Sequence, residues 1–426
     1  MSIKKAIQKF LMVYLILVCL FTGLLTLVYC IPEAAISKNI QASVDLLQSE
    51  GLYPTSYTYK LRYDNWTVAM MMNEAAHASN GNPLVAAMAN SFSGSGDSPI
   101  NSLVNYLSDK SGSEASYSRY WNGYLVALKP ALLAFDLQQI RLLLNVLYAC
   151  LFSVCVIVLV KKFKHVGIGL SISLAFSVSL CGCFEYASVM PFFPSFALAL
   201  IGIIWVAYTR LDTTNLAIGF FVLGSLTVYF DFLDNPIMTL GFPLTLLVYR
   251  QYIERSFSFK NLLLTCITSS AFWFIGYALL WITKWILGSI VTGNNVVFDA
   301  VQQANFRLGN DDGGVVSTSP FGALIANLGV LGIWKVILVI LCTSVVACIV
   351  AYKRDKNMLY KLIPVVLMLF GIAIIPVLWT LVLSNHSTIH AWFTWRNFSV
   401  SLFALSAALA TLLCVVFKKR LSYESV

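Results

Sequence analysis

Acidic side chains are scarce in this chain, so each one outside an apolar run is a candidate for chemistry. Asp64 stands in Tyr63-Asp64-Asn65-Trp66. An aspartate beside interfacial aromatics can act as a general base or bind a divalent metal. It also suits the N-cap of a helix expected over 64–79. Glu74 and His77 lie three apart on one face of that helix, a spacing found in surface hydrogen bonds as well as in sites. Glu185 ends an apolar run, where an acid is costly and is usually functional or paired. Asp231 and Asp234 flank Phe232-Leu233 just before Asn235-Pro236. Two carboxylates in so tight a turn could hold a metal or a sugar, or could simply end one helix and cap the next, with Pro236 at its first position.

The basic candidates sit among aromatics. Asn385–Arg396 contains His386 and His390, four apart, then Trp392, Phe393, Trp395 and Arg396. Arg396 opens the last apolar run, where its charge opposes the helix dipole, so local helix stability does not account for it. Cations next to Trp and Phe suit a lipid-linked phosphate: the cations meet the phosphate, and the aromatics meet an isoprenoid or a sugar face. An aromatic belt with an interfacial arginine is the structural alternative. Zinc binding by the two histidines lacks a third ligand. Arg119 and Trp121, in Ser118-Arg119-Tyr120-Trp121-Asn122-Gly123-Tyr124, form a second such cluster. No Walker A, GxSxG or Rossmann fingerprint is present, and Cys181-Gly182-Cys183 lacks metal-site spacing.

These residues must be held by membrane helices. The 426 residues are 59% hydrophobic and only 11% charged, against about 25% charged in soluble domains. Apolar runs recur at 10–31, 141–160, 166–184, 191–208, 216–231, 236–252, 261–283, 328–350, 362–383 and 398–416, giving an all-α polytopic membrane protein of about ten spans. With the N-terminus inside, the segments 1–9, 161–165, 209–215, 250–260, 351–361 and 417–426 are inner. They hold 17 of the 28 Lys/Arg but only 4 of the 19 Asp/Glu, the positive-inside pattern. The +9 net charge therefore marks orientation rather than nucleic-acid binding, and both termini are expected in the cytoplasm of a multi-pass cell-membrane protein. The chain divides into a tail and first span (1–31), a large extracytoplasmic loop (32–140) and a membrane domain (141–426). Within the loop, Ile36–Gly51 is expected as an amphipathic helix and Ser91–Ser98 as a flexible stretch. Leu125–Phe135 is expected as a short helix lying in or re-entering the membrane.

This arrangement resembles the GT-C superfamily of integral-membrane glycosyltransferases: a cytoplasmic N-terminus, one helix, a large first outer loop with an acidic residue, a second acid after the third helix, and basic residues on later outer loops. Fragments such as Tyr120-Trp121-Asn122-Gly123-Tyr124 and Phe230–Pro236 are also similar to bacterial membrane proteins associated with surface polysaccharide. The resemblance implies transfer of a sugar from a polyprenyl-phosphate donor, on the outer face, to a cell-envelope glycan or glycolipid acceptor. It implies Asp64 as the catalytic base and Glu185 as an assisting acid, with Asp64 and Glu185 candidate ligands for a divalent cation such as Mg2+ or Mn2+. Arg396, with His386 or His390, would hold the carrier phosphate. The chain departs from the family in the distance of Asp64 from the first span and in having Asn65 where a second acid would stand. A polysaccharide polymerase or O-antigen-ligase-type protein would share the substrate but usually carries its large loop late. A transporter or flippase needs charge near the bilayer midplane, whereas these ionisable residues crowd the outer ends, Lys335 being the main exception.

Overall fold

The computed structural model describes residues 3–55, 61–77, 81–94, 96–109, 113–231, 233–254, 258–309 and 319–417. Phe232, the expected helix end at Ser79 and the basic tail from Lys418 lie outside the described residues. The chain is a helical membrane protein: among the described residues six helical stretches are long and apolar enough to cross a membrane, namely Lys4–Val28, Leu137–Leu180, Thr213–Phe230, Phe259–Thr292, Pro320–Val382 and Ala391–Val416. Their outward faces are apolar, as for Ile172 (65% exposed) and Ile290 (73%), which lipid can cover.

Two of these stretches are interrupted at charged residues. Leu137–Leu180 breaks at Lys164 (φ 48°, ψ −121°) and Ile333–Val382 at Asp355 (φ −156°, ψ 83°). Each break falls within a basic cluster, where a turn keeps ammonium groups out of an apolar layer. The apolar helix Phe193–Tyr208 is 16 residues long. The helix Ile237–Glu254 is buried without interruption from Ile237 to Gln251. At its far end Arg250 donates to the carbonyls of Val206 (2.6 Å) and Thr209 (2.7 Å) and pairs with Glu254, so it caps the neighbouring helix that ends at Tyr208.

Close helix packing relies on small residues. A Cβ on Gly276 would lie 2.1 Å from the Phe221 carbonyl oxygen, and one on Gly224 2.1 Å from that of Trp273. The helices Thr213–Phe230 and Phe259–Thr292 thus touch backbone to backbone, the usual device where lipid removes any hydrophobic drive between helices.

Between the first helix, Ile3–Val28, and the helix that starts at Leu137 lies an insert with its own core. Its helices are Glu33–Glu50, Asn65–Ala76, Pro83–Ala89, Pro99–Asp109 and Leu125–Ala131. The first ends as expected at Gly51 (φ 77°), whose N–H reaches the Leu47 carbonyl at 2.9 Å. The Ser/Gly stretch expected to be flexible instead contributes a strand, Ser91–Ser93, paired antiparallel with Glu114–Ser116. Its register is fixed by Asn73, whose amide exchanges two 3.0 Å hydrogen bonds with the Ser93 backbone. The insert docks on the bundle through Lys284 of Phe259–Thr292. The fully buried ammonium donates to the carbonyls of Ala87 (3.1 Å) and Met88 (2.9 Å) and to Asn90 Oδ1 (3.0 Å). Between the expected spans 261–283 and 328–350 the described residues are largely helical: Phe259–Thr292 continues past 283, and Val296–Leu308 and Pro320–Gly329 follow.

Candidate functional site

The Asp64 carboxylate is fixed by a local hydrogen bond. It caps Asn65–Ala76, with Oδ1 accepting the Thr67 N–H at 3.0 Å. The next residue fixes its position. Asn65, fully buried, donates from Nδ2 to Glu50 Oε2 (2.9 Å) and the Gly51 carbonyl (2.8 Å), and its Oδ1 accepts from Arg141 Nη2 (2.8 Å). Arg141 also chelates Glu50 through Nη1 at 2.7 and 2.9 Å. Three side chains from two insert helices and the following membrane helix thus close one ring of hydrogen bonds behind Asp64.

In front of Asp64 is a cavity of about 180 Å³ assembled from four distant parts of the chain. The insert supplies Asp64, Trp66, Thr67 and Glu74, with Tyr53, Met70, Tyr117 and Tyr120. Asp234 comes from the turn before Ile237–Glu254 and Arg307 from Val296–Leu308. His386, His390, Trp392 and Phe393 come from the short helices Ser384–Ile389 and Ala391–Thr394 and the residue between them. The last turn is stitched to the Asp234 turn: His386 Nε2 lies 3.1 Å from the Leu233 carbonyl, and Asn397 Nδ2 lies 3.4 Å from that of Asp234. A carbonyl can only accept, so Nε2 carries the His386 proton.

Burial sets the charges here. Glu74 is 1% exposed, and desolvation pushes its carboxyl up to about 8, against the smaller opposing effects of Tyr124 and Lys284. Tyr124 Oη donates to it at 2.7 Å. Burial also raises Asp64, opposed by its hydrogen bonds from Thr67. Asp234 is raised well above the carboxylate range, first by burial and then by the charges of Asp231 and Asp64. Its Oδ2 has no hydrogen-bond partner among the described residues, and the same holds for Asp231 Oδ2, while Asp231 Oδ1 accepts from Ser195 Oγ at 2.7 Å. Desolvation lowers His386 well below its ordinary value and His390 to about 4. Near neutral pH both rings are uncharged, and the cavity carries less negative charge than its three carboxyls suggest.

Of the residues singled out in the sequence, Asp64, Glu74, Asp234, His386 and His390 meet in this cavity, with Trp392 and Phe393 in its wall. The others lie elsewhere. Arg396 is fully buried with its guanidinium 4.2 Å from the Tyr186 ring centre and 5.1 Å from that of Phe192; it is not among the cavity's lining residues. Glu185 is likewise outside the cavity lining, half-buried beside the Tyr186–Ser188 turn. Arg119 pairs with Asp299 at 3.1 Å, and its carbonyl accepts from Trp281 and Trp285. Trp121 is fully buried, donating to the Leu280 carbonyl at 2.8 Å and packing on Phe21 and Tyr229. It joins the insert to the bundle rather than offering a face to a ligand. His77 stacks on Tyr106 instead of pairing with Glu74.

Arg307 was not legible as a site residue, and its one signal was the spacing of Val296, Ala300 and Arg307 on a single helical face. Among the described residues no group of three or more His, Cys, Asp or Glu is placed to hold a metal ion, and Asp64 and Glu185 do not line a common cavity.

Beside the polar cavity runs an apolar groove of about 340 Å³ lined by residues such as Met71, Leu128, Leu143, Leu147, Phe193 and Leu198. The two share a wall. Met70 and Glu74 of Asn65–Ala76 face the cavity and Met71 the groove, while Tyr124 lines the groove and donates its hydroxyl to Glu74.

No protein-family model, no curated protein and no solved structure matches the chain.

Proposed function

We propose that the chain is a membrane glycosyltransferase of GT-C type that moves a sugar from a polyprenyl-phosphate donor to a glycan or glycolipid acceptor on the extracytoplasmic face. The observation that carries this reading is the convergence of Asp64, Asp234, Glu74, two uncharged histidines and a guanidinium in one small aromatic-walled cavity. At about 180 Å³ it is smaller than the roughly 300–1,000 Å³ of drug-sized ligand sites. That suits one sugar-phosphate head, with the lipid chain outside it. The adjoining apolar groove offers such a chain a place against the same helix.

The topology supports the reading. Every lining residue of the cavity comes from a segment that the positive-inside pattern puts outside, and none from the six basic inner segments. The two helix breaks, at Lys164 and Asp355, fall in expected inner turns, as a ten-span chain with both termini inside requires.

In this mechanism Asp64, aimed by Thr67, takes the proton of an acceptor hydroxyl. The acceptor oxygen then bonds to the anomeric carbon as the bond from that carbon to the phosphate oxygen breaks. The electron pair leaves with the phosphate, and the sugar carbon inverts. Neutral His390 can donate from one ring nitrogen to a sugar or phosphate oxygen, the free Nδ1 of His386 can accept from a sugar hydroxyl, and the aromatic walls cover the sugar's apolar face. No step is assigned to a divalent cation.

The test is Asp64→Asn assayed with labelled polyprenyl-phosphate sugar. Asparagine caps a helix as well as aspartate, so the fold is kept while the base is lost. Transfer should drop by about 10²–10⁴-fold. Full activity in the variant would remove Asp64 as the base, and movement of label across the membrane without a new glycoside would mark a transporter.

A further inference from the structure

The transfer just described leaves a phosphate in the cavity, and Arg396, the residue expected to meet it, does not line that space. We propose that Arg307 is the anion ligand of the cavity, seating a phosphate or pyrophosphate oxygen between its guanidinium and the His390 ring. The proposal rests on the glycosyl-transfer reading only for what the anion is attached to.

Three observations carry it. First, Arg307 is half-buried at the cavity wall, and its Nη1 is buried with no hydrogen-bond partner among the described residues. Arg119 Nε and Arg396 Nε and Nη2 are likewise buried and unmatched, but neither residue lines the cavity. Arg119, Arg141 and Arg250 each hold a carboxylate: Asp299, Glu50 and Glu254. A guanidinium carries five donors, and one left buried and unmatched is a cost that an incoming anion removes.

Second, the helix bearing Arg307 is fastened near both ends. Asp299, in its first turn, pairs with Arg119 of the insert. The Phe306 carbonyl accepts from Asn385 Nδ2 at 2.6 Å, and the Leu308 carbonyl from Ser384 Oγ at 3.4 Å. These bonds place Arg307 against the short helix that carries His386, and the guanidinium lies 5.5 Å from the ring centre of Tyr120. A favourable position in the last turn of its helix would be met equally by an exposed side chain and does not explain the buried, unmatched Nη1.

Third, the neighbouring acids do not quench it. No carboxylate lies within ion-pair distance of Arg307 among the described residues, and burial, with the charges of Asp231 and Asp64, raises the Asp234 carboxyl.

The experiment measures binding of inorganic pyrophosphate, and separately of farnesyl phosphate, to the purified full-length protein in nanodiscs by calorimetry. The wild type is compared with Arg307→Gln and Arg307→Lys, with thermal melting as the check on folding. Both anions should bind the wild type. Arg307→Gln should weaken binding about 10- to 100-fold, and Arg307→Lys should recover part of it, since an ammonium keeps the charge but loses the fork. Tighter binding of farnesyl phosphate assigns the seat to a lipid-borne phosphate, and equal binding to a free one. Unchanged affinity in a folded Arg307→Gln or Arg307→Lys protein, or no binding by the wild type, overturns the proposal. Because no sugar is transferred, Arg307-dependent binding stands even if the Asp64→Asn protein proves fully active.

Discussion

Asn65→Ala would test whether the hydrogen-bonded ring behind Asp64 positions the site. The substitution removes two bonds to charged partners, Glu50 and Arg141, and one to the Gly51 carbonyl, at 2.9, 2.8 and 2.8 Å. Bonds with a charged partner contribute about 1.5–3 kcal/mol and neutral ones about 0.5–1.5, a gross loss of roughly 3.5–7.5 kcal/mol. Part of this returns. The Arg141–Glu50 pair survives, and with side chains 15% and 28% exposed both groups can recruit water. The net expectation is about 2–4 kcal/mol, several degrees in melting temperature. Asp64 is the adjacent residue, so its carboxylate should also shift, lowering kcat by up to about 10²-fold while KM changes less. Thermal melting in detergent and limited proteolysis of the insert read the first effect, and steady-state kinetics the second. Asn65→Asp, which keeps an oxygen for Arg141 but sets a carboxylate against Glu50, should fall between. A variant that melts like the wild type and keeps full kcat would show that the ring neither stabilises nor aims anything.

Two further outcomes follow from burial and packing. Glu74 binds its proton more tightly folded, at about 8, than its ordinary 4.5, so its contribution makes stability fall as pH rises across that interval. Glu74→Gln should flatten that part of a melting-temperature profile, and an unchanged slope would contradict the burial argument. Gly276→Ala should push the helices Thr213–Phe230 and Phe259–Thr292 apart, since its Cβ would meet a backbone oxygen at 2.1 Å. A loss of about 1–3 kcal/mol is expected, and a melting curve identical to wild type would mean the contact is not tight.

What the sequence revealed was what local physics controls. Asp64 as a cap and Gly51 as a helix end follow from neighbours three or four residues away. The basic clusters around Lys164 and Asp355 mark breaks because ammonium groups avoid lipid. The site was only half legible, because its members meet across long separations. Arg307 has no local signature beyond one amphipathic face, and its meaning comes from His386 and Tyr120, far away in the chain. Arg396 misled for the reverse reason. Of its expected aromatic neighbours only Trp395 lies against it, and Tyr186 and Phe192 enclose it rather than leave it facing a ligand. Trp121 likewise belongs to a core made by Phe21 and Tyr229, which no window of sequence contains.

The Lys284 ammonium imposes a timetable on biogenesis. Its acceptors at Ala87, Met88 and Asn90 are made 194 to 197 residues earlier. At about 5–20 residues per second of synthesis, they wait on the order of 10–40 s for their donor. Through that interval the insert is already made but cannot be locked down, and the histidine wall of the cavity arrives later still, with residues 386–390. The cavity is therefore closed only once residues 386–393 have been made, so a chain stalled before them lacks one whole wall of it.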